Sequence, residues 1–220
     1  MKTVEVKNMS FKPGMEFRVT GVPKSNQDGF SINVGHSDEN IALHVNPRFD
    51  HACGDKRTIV LNSMKDGTWN EEKRDRNFPF QSGQEFEVTI TFSKDNFYIN
   101  LHDGNMLQFP NRLGDKQYDH IFCDGNATVE VKNMSFKPGM EFRVTGVPKS
   151  NQDGFSINVG HSDENIALHV NPRFDHACGD KRTIVLNSMK DGTWNEEKRD
   201  RNFPFQSGQE FEVRPGTGRH

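Results

Sequence analysis

The chain repeats itself. Residues 3–88 recur without a substitution at 128–213, and so long a period is no stacking repeat, whose units run to about 20–50 residues. Natural tandem domains drift apart, so complete identity means a very recent duplication, an engineered one or an artefact of sequence assembly. The second copy is also incomplete. It stops at Val213 and runs into Arg214-Pro215-Gly216-Thr217-Gly218-Arg219-His220, which matches nothing earlier, and counterparts of 89–126 are missing.

Within the first copy, short alternating runs are separated by turn residues. Alternation at period two is the pattern of half-buried strands, and it predicts strands over 3–9, 15–22, 29–34, 41–45, 58–62, 68–72, 86–92, 97–101, 106–109 and 118–123. Lys12-Pro13-Gly14, Asp28-Gly29, Asp66-Gly67, Ser82-Gly83 and Asp103-Gly104 punctuate them, and His102-Asp103-Gly104-Asn105 reads as a hairpin loop. Helical periodicity is not seen. The expected fold is an all-β antiparallel sandwich. The missing segment would supply about four strands, and without them sheet edges stay unpaired and inner faces uncovered.

The junction sets up a competition. A sandwich ending at Asp124-Gly125 wants one more strand, and 128–136 can supply it, yet those residues also open the second copy. The complete copy is expected to take them. The expected domains are therefore 1–136, with 128–136 as a shared last strand, a truncated duplicate over 137–213, and an unrelated tail over 214–220.

Composition excludes some functions. The 18 Phe offset a hydrophobic share of only 32%, so a core is feasible. Net charge is −3 with both signs interspersed, which lacks the basic face that phosphate neutralisation needs, so no nucleic-acid partner is expected. No apolar run approaches a membrane span, and the charged opening Met1-Lys2-Thr3-Val4-Glu5-Val6 is not a signal peptide. Three Cys, two of them (Cys53 and Cys178) the same position in the two copies, imply no disulfide framework.

The chemistry concentrates in one stretch. His44, Asn46 and Arg48 alternate, so a strand puts all three on one face and turns Val45 toward a core. Asn62 follows on the next run, then Trp69, Glu72 and Arg74. Neutral and cationic hydrogen-bonding groups beside a lone indole suit a polyhydroxylated ligand. In this order and spacing they resemble the carbohydrate-recognition domain of galectins, as do Phe78-Pro79-Phe80, Phe109-Pro110-Asn111-Arg112-Leu113 and Lys12-Pro13-Gly14.

The resemblance implies a jelly-roll β-sandwich that binds β-galactosides. His44, Asn46 and Arg48 would hold the axial 4-hydroxyl of galactose, Asn62 and Glu72 would meet the 6-hydroxyl, and Trp69 would stack on the ring's C–H face. Glu72 would pair with Arg48 and Arg74, fixing both guanidinium groups before sugar arrives. His169, Asn171, Arg173, Asn187, Trp194, Glu197 and Arg199 would form the copied site, with the chemistry but without the full scaffold. The family also implies no organic cofactor, glycans on glycoproteins or glycolipids as partners, and a cytoplasmic protein that reaches the cell exterior by a non-classical route. Two sites on one chain or a homodimer would crosslink glycans, and the truncation of the second copy favours the homodimer.

Three rival readings are weaker. Adjacent Glu71 and Glu72 face opposite ways on a strand and cannot flank one glycosidic bond, and a Glu held between two Arg is a poor general acid. His36, His44, His51 and Cys53 match no closed zinc pattern. A scaffold that binds only protein would be expected to lack some of the seven positions.

Overall fold

In the computed structural model of the protein the described residues are 2–23, 28–50, 54, 56–124, 127–132, 137–148, 153–175 and 180–214, and they contain no helix. The first copy and the unique segment after it give β1 (Lys2–Lys7), β2 (Glu16–Pro23), β3 (Ser31–Gly35), β4 (Ile41–Asp50), β5 (Lys56–Lys65), β6 (Thr68–Trp69), β7 (Lys73–Asp75), β8 (Phe86–Phe92), β9 (Asn96–Leu101), β10 (Met106–Pro110) and β11 (His120–Asp124). The second gives β12 (Ala127–Lys132), β13 (Glu141–Gly146), β14 (Ile157–Ser162), β15 (Asn165–Asp175), β16 (Lys181–Lys190), β17 (Thr193–Trp194), β18 (Lys198–Asp200) and β19 (Phe211–Val213). Compactness divides the chain into one unit built on Met1–Thr145 and another on Gly146–Glu212.

The first unit is an antiparallel sandwich. One sheet contains the order β13-β1-β11-β3-β4-β5-β6, with β7 also on β5, and the other runs β10-β9-β8-β2-β12. Their inner faces follow the alternation. On β8, Phe86, Val88, Ile90 and Phe92 are buried while Glu87, Thr89 and Thr91 are not. They join Leu43, Val45, Ile59 and Leu61 from the opposite sheet, with Phe97, Ile99 and Phe109, in one core. Each such side chain contributes about 1.5–3 kcal/mol by leaving water.

Two local features shape the site. Asp66 and Gly67 both have positive φ (49° and 75°), a two-residue turn whose twist suits a tight hairpin, so β6 folds back with Trp69 opposite Met64. The strand expected over 68–72 is broken. The main chain and side-chain amide of Asn70 hook onto Ser63 O at 2.9 and 3.1 Å, ending β6 before the chain re-enters as β7. The β4–β5 pair is also longer than its apolar core, because Asn46 to Asp50 and Lys56 to Thr58 stay in the ladder.

At the junction, β12 lies along β2 with Thr128 opposite Val22 and Val131 opposite Val19; 133–136 of the expected shared strand lie outside the described residues. The compact division falls at 145/146 because β13 pairs with β1, from Val4 opposite Val144 to Lys7 opposite Glu141.

The second unit holds one sheet, β14-β15-β16-β17, with β18 on β16. β3 sits between β11 and β4, whereas its duplicate β14 pairs only with β15 among the described residues. Leu43 is 0% exposed and its duplicate Leu168 is 37% exposed. Val170, Ile184 and Leu186 are likewise only half-buried where Val45, Ile59 and Leu61 are buried.

Candidate functional site

The site is laid on the outer face of β4, β5, β6 and β7. His44 stands opposite Asn62, Asn46 opposite Val60, and Val60 opposite Arg74 on its other side. Residues directly opposed on antiparallel strands share a face, so the polar groups surround Val60, which is fully buried yet outside the core cluster. Val60 is an apolar floor beneath them.

His44 is held by a residue that sequence alone does not single out. Asn33 on β3, 1% exposed, donates its Nδ2 to Ser31 Oγ at 3.0 Å and to Phe122 O at 3.3 Å. A carbonyl only accepts, so this orients the amide and leaves Asn33 Oδ1 facing His44 Nδ1 at 2.6 Å. Nδ1 therefore carries the proton and donates, and Nε2 keeps its lone pair. Burial, reinforced by the positive charge of Arg48, lowers the His44 pKa to about 4. At neutral pH the imidazole is an uncharged acceptor.

The rest of the row is braced in the same way. Asn46 Nδ2 donates to Phe30 O at 2.6 Å, and its Oδ1 accepts from Arg48 Nε at 2.8 Å. Arg48 Nη2 donates to Glu72 Oε1 at 3.1 Å, while Glu72 Oε2 pairs with Arg74 Nη2. Asn62 Nδ2 donates to Asn70 O at 2.9 Å, and its Oδ1 accepts from Ser63 N at 2.7 Å. Trp69 is 46% exposed, its indole 4.7 Å from the His44 ring at 54°. An exposed indole beside a preset row of donors and acceptors is a surface for a ligand with one apolar and one hydroxylated side.

The family model for galactoside-binding lectins matches residues 2–134 and again 126–216. The chain belongs to the galactoside-binding lectins. The eel Anguilla japonica has a galactose-binding lectin l-1 that is 49% identical over 135 residues, spanning 61% of this lectin and 93% of the eel protein. Congerin-2 of Conger myriaster is 44% identical over 124 residues, 56% of this lectin and 90% of congerin. An ancestral congerin structure covers 58% of this lectin and 97% of its own chain at 50% identity, with a TM-score of 0.56. A congerin II structure carrying lactose and MES covers 60% and 98% at 41% identity, with a TM-score of 0.57. The family is one of non-enzymatic carbohydrate-binding proteins.

All seven positions read from the sequence come together in the first unit of the lectin. The second unit repeats most of the arrangement. His169 Nδ1 lies 2.6 Å from Asn158 Oδ1, Arg173 Nη2 lies 3.3 Å from Glu197 Oε1, Arg199 pairs with Glu197, and Asn187 donates to Asn195 O at 3.0 Å. Asn171 Nδ2 donates to Phe155 O at 2.7 Å, and the Trp194 and His169 rings are 4.7 Å apart. The support behind it differs: Asn158 is exposed where Asn33 is buried. Burial still acts first in lowering the His169 pKa.

Of the four residues weighed as a zinc set, two are described. His36 faces Asp119 and Asp115, His44 is taken by Asn33, and His51 and Cys53 lie outside the described residues. Cys178 also lies outside them. Cys123 is a buried free thiol whose pKa is pushed up to about 12, by burial and then by Asp124.

Proposed function

We propose that the first unit binds β-galactosides of the lactose and N-acetyllactosamine type through His44, Asn46, Arg48, Asn62, Trp69, Glu72 and Arg74. The observation that carries this reading is the His44 imidazole, fixed as an acceptor at Nε2 beside an exposed indole. A sugar hydroxyl both donates and accepts. It can donate to Nε2 while accepting from the Arg48 guanidinium, which Asn46 and Glu72 already hold in place. Glu72 offers carboxylate lone pairs, Asn62 its remaining amide capacity, and Trp69 takes the apolar C–H face.

Binding then orders few protein groups, so little affinity is lost to side-chain entropy. The 4.7 Å spacing between the His44 ring and Trp69 ties the acceptor and the platform to one sugar ring. A homodimer would present two such sites and crosslink glycans, raising avidity without new contacts. We place its action in the cytoplasm and, after non-classical export, outside the cell.

The test uses the two Trp of the chain, Trp69 and Trp194. Lactose, with sucrose as control, is titrated against intrinsic fluorescence of the parent and of Trp194→Phe. A lactose-specific change that survives the substitution supports the first-unit site. Loss of the change would move the site to the second unit. Silence in the parent would favour a galectin-like scaffold acting through protein contacts.

A further inference from the structure

The duplication flanks a segment that exists once, residues 89–126. In the structure this segment supplies most of β8 with β9, β10 and β11 to the first copy. Every residue those strands meet between 3 and 88 has an identical counterpart within 128–213. We infer that the unique segment can complete either copy, so the chain has a second, circularly permuted topology in which 86–124 closes the sandwich of 128–210 and awakens the second sugar site.

The register at the junction carries the inference. β1 meets β11 with Lys2 opposite Asp124, then Val4 opposite Cys123 and Val6 opposite Ile121. Lys2 and Ala127 are equivalent positions, each followed by Thr-Val-Glu-Val-Lys. Transferring the register to the second copy sets Ala127 opposite Asp124, with Gly125-Asn126 as the whole loop. Two residues are what a tight antiparallel hairpin requires, and Gly-Asn is a sequence that such loops favour. The second topology would thus make β11 and β12 neighbours, with a two-residue Gly-Asn sequence between them.

A second observation points the same way. Each copy's first strand already lies on the other copy's second strand: β12 on β2, with Val131 opposite Val19, and β1 on β13, with Val6 opposite Phe142. The two registers differ by two residues, a shift that keeps every side chain on its own face. In the permuted topology β1 would occupy the edge beside β13 that β12 now occupies beside β2. β8 transfers whole, since β2 and β13 present the same Glu-Phe-Arg-Val-Thr-Gly to it. The surfaces left uncovered in the second unit, at Leu168 and along β14, are those the segment covers in the first.

Leu43→Asp in the full chain places a charge at a fully buried core position, and Leu168→Asp makes the same change where the duplicate is 37% exposed. The inference expects Leu43→Asp to keep a cooperative urea transition, because the segment moves to the intact copy. It also expects Leu43→Asp to keep a lactose response that Trp69→Phe no longer removes. Leu168→Asp should leave the Trp69 response in place, and the double variant should lose both transition and response.

If Leu43→Asp behaves like the double variant, the topology is unique and the inference is wrong. The milder Leu43→Ala in a Trp69→Phe chain should gain a Trp194 response over Trp69→Phe alone, since apparent affinity follows the competent fraction; no gain overturns the exchange. Rescue that grows with protein concentration would assign the segment to a neighbouring chain and overturn the intramolecular form. The inference rests on the sugar-binding reading only for its fluorescence arm. A parent silent to lactose would remove that reading while the urea transitions still decide the topology.

Discussion

The titration of His44 gives the sharpest test of how the site is built. Its pKa falls from 6.5 to about 4, first because the imidazole is buried and second because Arg48 lies beside it. In the unfolded chain the ordinary value returns. Between these two values the unfolded chain binds the proton and the folded one does not, so stability falls as pH falls. The full difference corresponds to about 3 kcal/mol from one side chain, at about 1.4 kcal/mol per tenfold change in proton affinity. That is a large part of a domain stability of about 5–15 kcal/mol.

Urea unfolding of the parent and of His44→Asn, tracked from about pH 7 to about pH 4, reads this directly. The parent should lose up to about 3 kcal/mol more than the variant across that window. Carboxylates titrate in both proteins and cancel. Lactose affinity of the parent should hold through mild acid and fall only as Nε2 is protonated and changes from acceptor to donor. Parallel loss of stability in parent and variant would refute the assignment of a buried, neutral His44. His169→Asn should show a smaller difference, since its support by Asn158 is exposed.

Glu72→Gln removes the charge that braces Arg48 and Arg74; lactose affinity by calorimetry should drop by about tenfold or more, as charged hydrogen bonds contribute about 1.5–3 kcal/mol. The urea midpoint should also fall, because the Arg48 guanidinium is only 11% exposed and loses its carboxylate partner, while the half-exposed Arg74 pair adds little. Asn33→Leu should weaken lactose binding by freeing the His44 tautomer, while Asn33→Asp keeps an acceptor for Nδ1 and raises the pH at which binding is lost; equal effects of the two would show that Asn33 merely fills space. Phe97→Ala, in the unique segment and stacked 4.8 Å from Phe92, should cost about 3–5 kcal/mol and abolish the lactose response at Trp69 and Trp194 alike.

Much of the site is legible in the sequence because strands encode faces at period two. The alternation of His44, Asn46 and Arg48 tells which way each points, and the burial of Val45 marks the opposite face. Asn33 escapes notice because it looks like any polar residue in a strand, and only the β3–β4 register brings it to His44. The break after Trp69 escapes for a similar reason: Asn70 fits an extended run until its amide finds Ser63. The β1–β13 pairing lies beyond reach because two identical first strands compete for the same neighbours, and local sequence cannot rank them.

The interleaving of ligand groups and core groups on β4 and β5 has a consequence for folding itself. Slipping the hairpin by one residue would drive His44, Asn46, Arg48 and Asn62 inward and push Leu43, Val45, Ile59 and Leu61 into water. Burying an unpaired guanidinium or amide is costly, so the residues kept for sugar also proofread the alignment of the strands that carry them. Replacing that row with aliphatics would remove more than a ligand: it would leave a hairpin greasy on both sides, with nothing left to reject the wrong register.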